Sequence, residues 1–167
     1  GSVPNFVPNI GHTKPGAPNW ESAYITLIWT MYRYLGDVRV VNNHWRSIQL
    51  YVQYWNNQYE LNGISTFTSG FGDWVSPQPR ANGSFVGAFG YLHDLKLIEE
   101  LSKYAVNDMN MYRMVSNQRR TVSTAFHNYW YDSSNHIYGS GLQTEHALVL
   151  WLGLVQNGGV IPTKEIL

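Results

Sequence analysis

Three acidic residues stand in settings that could carry chemistry. Glu21 follows Trp20, Asp73 precedes Trp74 in the stretch SGFGDWVSP, and Glu145 precedes His146. A carboxylate beside an indole suits a polyhydroxylated ligand: the carboxylate accepts hydrogen bonds from hydroxyls, and the ring face stacks on apolar C–H groups. Each site also has a structural reading. Asp73 can cap a turn or helix start while Trp74 fills the core. Glu21 can simply answer the dipole of a first helical turn. Glu145 and His146 are adjacent, so on a helix they point in different directions, and Gln143 and Thr144 are better placed as capping groups.

Other chemistries find little support. Cysteine is absent, which removes disulfides, thiolate catalysis and zinc–cysteine sites. The six histidines show no metal-ligand spacing; His44 and His127 read as surface or interface residues, and no metal or cofactor is implied. Neither a phosphate-binding glycine loop nor a GxSxG elbow occurs. Net charge is zero, which argues against nucleic-acid partners and acidic membranes. No apolar run approaches the roughly 18 residues of a membrane span. Asn82-Gly83-Ser84 fits a glycosylation sequon, a frequent chance match. Acid/base hydrolysis of a glycoside with inversion needs two carboxyls about 6.5–9.5 Å apart, and no local context singles out a pair among Glu21, Asp73 and Glu145.

The residues must be held by helices. Gly1-Ser2 reads as an expression scar, and residues 3–19, rich in Pro, Gly and Asn, as an extended entry. A helix is expected from Trp20 to Leu35, with Asn19 as N-cap and Gly36 as its stop. Its centre, AYITLIWTMY, is apolar nearly all round. A second helix, about 43–59, has one stripe of Trp45, Ile48, Val52 and Trp55. A long loop from Glu60 to Gly83 carries Asp73-Trp74. A third helix, 84–105, opens with small residues (Ser84, Gly87, Ala88, Gly90) that permit close packing. A fourth, 108–130, has a stripe of Tyr112, Val115, Arg119, Val122, Phe126 and Tyr129. A turn-rich connection leads to a fifth, 142–155, and Thr163 would cap another.

The first, third and fifth helices read as buried on most sides, and the second and fourth as half-exposed. Buried helices start about 60 residues apart. Alternating inner and outer helices in antiparallel hairpins give an all-α fold, part of an α/α toroid; another helical solenoid is the rival. In such hairpins every inner helix starts at the same rim. Trp20, Asp73, Trp74, Gln143, Thr144 and Glu145 should therefore gather there, with helix N-termini aimed at any oxygen-rich ligand.

The order VPNFVPN, PNWESAYITLIWTMYRYLGD, FGDW and YGSGLQTEHALVLWLGLV resembles the catalytic domain of bacterial α-L-rhamnosidases, glycoside hydrolase family 78, from Val3 to about Pro162. The resemblance implies an (α/α)6 barrel of six hairpins, inverting hydrolysis of terminal α-L-rhamnosides by general acid and general base, and a rhamnose-containing carbohydrate as partner. It makes Trp20 and Trp74 aromatic walls of the rhamnose pocket and puts Asp73 beside it, so these three are the expected substrate-binding residues. Two departures bear on the first rim segment. Glu21-Ser22 stands where the family commonly has Gly-Asp, and Asn5 stands in place of the Asp of a VPDVVP pattern. The family's acid motif, of D-C-P-x-R-x-E type, and its Trp-flanked base Glu do not occur. No catalytic residue is therefore expected here. Residues 3–167 should form about two and a half hairpins, inactive alone, self-associating through exposed inner helices. A different α/α-toroid glycosidase or lyase, or a non-catalytic carbohydrate-binding helical module, are the alternatives. The low charge, 13% against about 25% in ordinary domains, fits helix faces meant to meet other hairpins.

Overall fold

The computed structural model describes residues 2–4, 17–67, 72–73 and 79–154. Trp74, Asn5 and Thr163 lie outside the described residues. All five expected helices form: α1 (Pro18–Leu35), α2 (Val38–Asn62), α3 (Gly83–Glu100), α4 (Met109–Trp130) and α5 (Gln143–Leu152).

Their ends follow local chemistry, with some corrections. Asn19 is not the cap of α1. The helix starts at Pro18, whose fixed φ suits a first turn, and Ala17 holds the cap position without a side-chain bond. Gly36 stops the helix as expected, at φ +67, with its N–H on the Tyr32 carbonyl at 3.0 Å. Asp37 accepts from Arg39 N at 3.0 Å and starts α2 earlier than its apolar stripe suggests. The helix of α3 proper ends at Glu100. The chain then widens by one residue per turn over Leu101–Ala105, with Val106 N–H reaching the Leu101 carbonyl at 3.2 Å. Asp108 caps α4 through Met111 N at 3.0 Å. The turn-rich connection contains a small antiparallel ladder, β1 (Tyr131–Asp132) on β2 (Ile137–Tyr138).

The helices alternate between two layers. α1 and α3 run parallel and adjacent, with Trp29 Nε1 donating to Glu100 Oε2 at 2.9 Å near their C-terminal ends. α5 continues that layer beside α3, where Lys96 Nζ donates to the Trp151 carbonyl at 3.5 Å. α2 returns antiparallel along α1, and α4 along α3, placing Phe126 and Trp130 on Phe85. This is the all-α hairpin arrangement of a toroid segment.

α3 is enclosed as expected, with buried residues on every side from Phe85 to Ile98. α1 and α5 are not. Leu27, Tyr34 and Leu35 on α1, and Leu150 and Trp151 on α5, are exposed, Tyr34 at 75% and Trp151 at 65%. One flank of each helix packs on α3, and among the described residues nothing covers the other flank. The expected stripes also shift. On α2 the buried set is Val41, Ile48, Tyr51, Val52 and Trp55, with Trp45 only half-buried. On α4 it is Met111, Val115, Val122 and Phe126. Tyr129 is exposed there, and Arg119 is half-buried and paired with Glu99 at 2.7 Å.

The expected small-residue contact is present at Gly90. A Cβ there would lie 2.5 Å from both Cα and N of Asn19. Only glycine lets the first turn of α1 press on α3 this closely. Ser22 completes the joint: its hydroxyl bonds the Pro18 carbonyl at 2.7 Å and the Gly90 carbonyl at 3.3 Å.

Candidate functional site

α1 and α5 run parallel to α3, so their N-terminal ends lie toward the same side, the rim, with the first turn of α1 set against Gly90 in the middle of α3. Trp20 lies in the first turn of α1, half-buried, on the backbone that Gly90 admits against α3. Asp73, also half-buried, lies in the segment leading to α3. Thr144, in the first turn of α5, donates its hydroxyl to Asp73 Oδ2 at 2.9 Å across 71 positions of sequence. The expected meeting of Asp73 with the start of α5 is thus present. Thr144 is not a cap, however; its hydroxyl is spent on Asp73. Gln143 is exposed, and among the described residues no bond joins it to the cluster.

The other two carboxylates are structural. Glu145 is fully buried and folds back on its own helix start. Its Oε2 accepts from Ser140 N at 2.7 Å and Leu142 N at 3.1 Å. That satisfies backbone donors ahead of α5, as the N3 acid of a capping box does. Gly139, at φ +61, makes room: a Cβ there would fall within 2.5–2.7 Å of the Glu145 carboxyl. Its neighbour His146 is buried under β2, with Nε2 3.5 Å from Tyr138 N. Glu21, 1% exposed, accepts from Trp55 Nε1 at 2.6 Å and from Val3 N at 3.1 Å. It ties α2 and the entry segment to α1. Of the three acids, only Asp73 keeps part of its surface in solvent.

A fourth acid escaped the sequence reading. Asp94, on α3, is completely buried between α1, α2 and α3. Its Oδ2 accepts from Tyr51 O–H at 2.5 Å, while Oδ1 has no bonded donor. Burial pushes the Asp94 carboxyl well above the usual carboxylate range. The Tyr51 hydroxyl opposes that shift, and the nearby Glu21 charge adds to it. Burial, reinforced by Asp94 and Glu21, likewise pushes the Tyr51 phenol up. His93, whose Nδ1 is 4.0 Å from Asp94, is pushed down by burial and by Lys96. The only sequence signal was a lone acid within an apolar helix, YLHDLKLI.

Among the grooves of the described residues, two lie along α4, away from this rim. One, of about 680 Å³, runs between α2 and α4 and includes Gln49, Asn56 and Gln118. The other, of about 520 Å³, lies between α4 and the C-terminal end of α5. Among the described residues, no three His, Asp or Glu side chains converge as a metal site. No described helix is long and apolar enough to cross a membrane. His44, exposed, bonds Tyr24 O–H at 3.0 Å, and His127 bonds Tyr138 O–H at 2.7 Å; both serve local packing.

Similarity to known proteins agrees with this geometry. Residues 1–164 match the family model of the bacterial alpha-L-rhamnosidase 6 hairpin glycosidase domain. An alpha-L-rhamnosidase of Alteromonas sp. (strain LOR) is 25% identical over 96% of this chain and 18% of its own length. One of Streptomyces avermitilis is 21% identical over 94% of this chain and 15% of its own length. The solved alpha-L-rhamnosidase from Dictyoglumus thermophilum superposes with a TM-score of 0.87 at 25% identity, over 98% of this chain and 19% of that one. The chain therefore spans less than a fifth of each of these relatives. With the alternating hairpins and the matched residues agreeing, the chain belongs to the bacterial α-L-rhamnosidase six-hairpin glycosidase domain family.

Proposed function

We propose that this chain is the part of an α-L-rhamnosidase catalytic domain that recognises the sugar, within an enzyme that hydrolyses terminal α-L-rhamnosides with inversion. Trp20 and Trp74 wall the pocket and Asp73 accepts hydrogen bonds from sugar hydroxyls. The general acid and base come from other hairpins. The observation that carries this is Asp73. Among the described residues it is the one rim carboxylate left half-exposed, whereas Glu21 and Glu145 are enclosed and bound to structural donors. An acid/base pair drawn from these residues would have to be dismantled from the fold first.

Two measurements test the proposal. Purified 1–167 should not release rhamnose from an aryl α-L-rhamnoside, and the longer polypeptide bearing this segment should, with the β-anomer as first product by NMR. Release by 1–167 alone, at a rate abolished by Asp73→Ala, would contradict it. The isolated chain should also self-associate in light scattering, through the uncovered Leu27, Tyr34 and Leu35 of α1 and the Leu150 and Trp151 of α5. A stable monomer would favour a self-contained module instead.

A further inference from the structure

We infer that Thr144 is a positioning residue for sugar recognition, acting through Asp73. The inference rests on the proposed role of Asp73. The Thr144 hydroxyl donates to Oδ2 at 2.9 Å. Among the described residues it is the partner of this carboxylate, so Oδ1 remains available to accept from a ligand hydroxyl. Asp73 sits in a segment between helices, where a side chain would otherwise sample several rotamers. Thr144 sits in the first turn of a helix whose start is itself locked by Glu145 through Ser140 and Leu142. A threonine on a helix is confined to about two χ1 states, and in the one it adopts here its hydroxyl meets Asp73. The arrangement transfers the rigidity of α5 to a loop carboxylate. It also fixes which oxygen faces the ligand.

The capping function does not explain the residue, because Glu145 already serves the backbone donors at this helix start. A hydroxyl not needed for capping and aimed at a loop acid 71 positions away has an orienting role left to it.

The test is a mutant cycle in the longer, active polypeptide, read as kcat/KM on an aryl α-L-rhamnoside, with thermal midpoints recorded for each variant. Thr144→Val keeps the shape and removes the donor; Thr144→Ala replaces it where Val fails to pack. Removing a hydrogen bond to a charged group should cost roughly tenfold or more in kcat/KM. Thr144→Ser should restore most of it. In an Asp73→Ala background Thr144→Val should cost little further, because its target is gone. An effect of Thr144→Val below twofold, with Asp73→Ala impaired, overturns this inference and leaves the proposed function standing. Losses that multiply in the double variant overturn it as well, since the two residues then act separately. An Asp73→Ala variant with full activity overturns both.

Discussion

Trp55 donates its indole N–H to Glu21 at 2.6 Å, joining the outer helix α2 to the acid that follows Trp20 in α1. The bond is buried at both ends, with Trp55 4% and Glu21 1% exposed. An acid that looked available for chemistry is therefore a strut. It holds the first turn of α1, and with it Trp20, in register with α2.

Trp55→Phe should keep most of the packing on Phe67 and Tyr91 but take a donor from a buried carboxylate. The expected loss is about 1–3 kcal/mol of unfolding free energy, measured by denaturant titration. Glu21→Gln, which can accept from the indole only by turning its NH2 toward the Val3 N–H, should lose stability as well. Equal stability of Trp55→Phe and the parent would show that the strut carries no weight.

Gly90→Ala places a methyl 2.5 Å from the backbone of Asn19, which cannot rotate away as a side chain could. Overpacking of this kind costs about 1–3 kcal/mol, and here it also lifts the start of α1 off α3. A lower thermal midpoint with a changed environment for Trp20 is expected, read by tryptophan emission against a Trp20→Phe control. An unchanged midpoint would mean the helices separate freely at this point.

Asp94 makes a prediction with a definite sign. Its carboxyl is raised well above 3.8 in the folded chain, chiefly by burial. Folding therefore favours the protonated acid. The stability it contributes is complete below the unfolded pKa of about 4 and is lost as pH rises toward the folded value, by at most about 1.4 kcal/mol per pH unit. Asp37, Asp108 and Asp132 are held low by their hydrogen bonds and act in the opposite direction at acid pH. The comparison with Asp94→Asn isolates the one group. Asn mimics the neutral acid, keeping an acceptor for Tyr51. It should remove the decline that sets in above about pH 4 and be at least as stable as the parent at pH 7. Asp94→Ala should be less stable, since it strands the Tyr51 hydroxyl. Parallel stability curves for the parent and Asp94→Asn would mean that Asp94 carries no such linkage.

The features legible in the sequence were those written locally or periodically. Gly36 ends α1 because a left-handed stop needs glycine, and the alternation of mostly apolar and amphipathic helical sequences announced the hairpins. The rim followed from topology: antiparallel hairpins bring the starts of alternate helices together, hence Asp73 with Thr144. What stayed hidden depends on three-dimensional neighbours. A capping Glu145 is recognisable only once Gly139 turns the backbone into its reach. The buried Asp94 needs a Tyr51 from another helix to explain it. The exposure of Tyr34 and Trp151 was not legible in the periodicity of α1 and α5, which reads as enclosed; it followed only from the expectation that these helices have faces meant to meet other hairpins.

The most direct test of the account is the kcat/KM of Asp73→Ala against an aryl α-L-rhamnoside in the longer polypeptide, with folding verified by its thermal midpoint. A loss of roughly tenfold or more is expected, with the midpoint little changed because Asp73 is half-exposed and, among the described residues, its one bonded partner is Thr144. Full activity in a folded Asp73→Ala variant would contradict it.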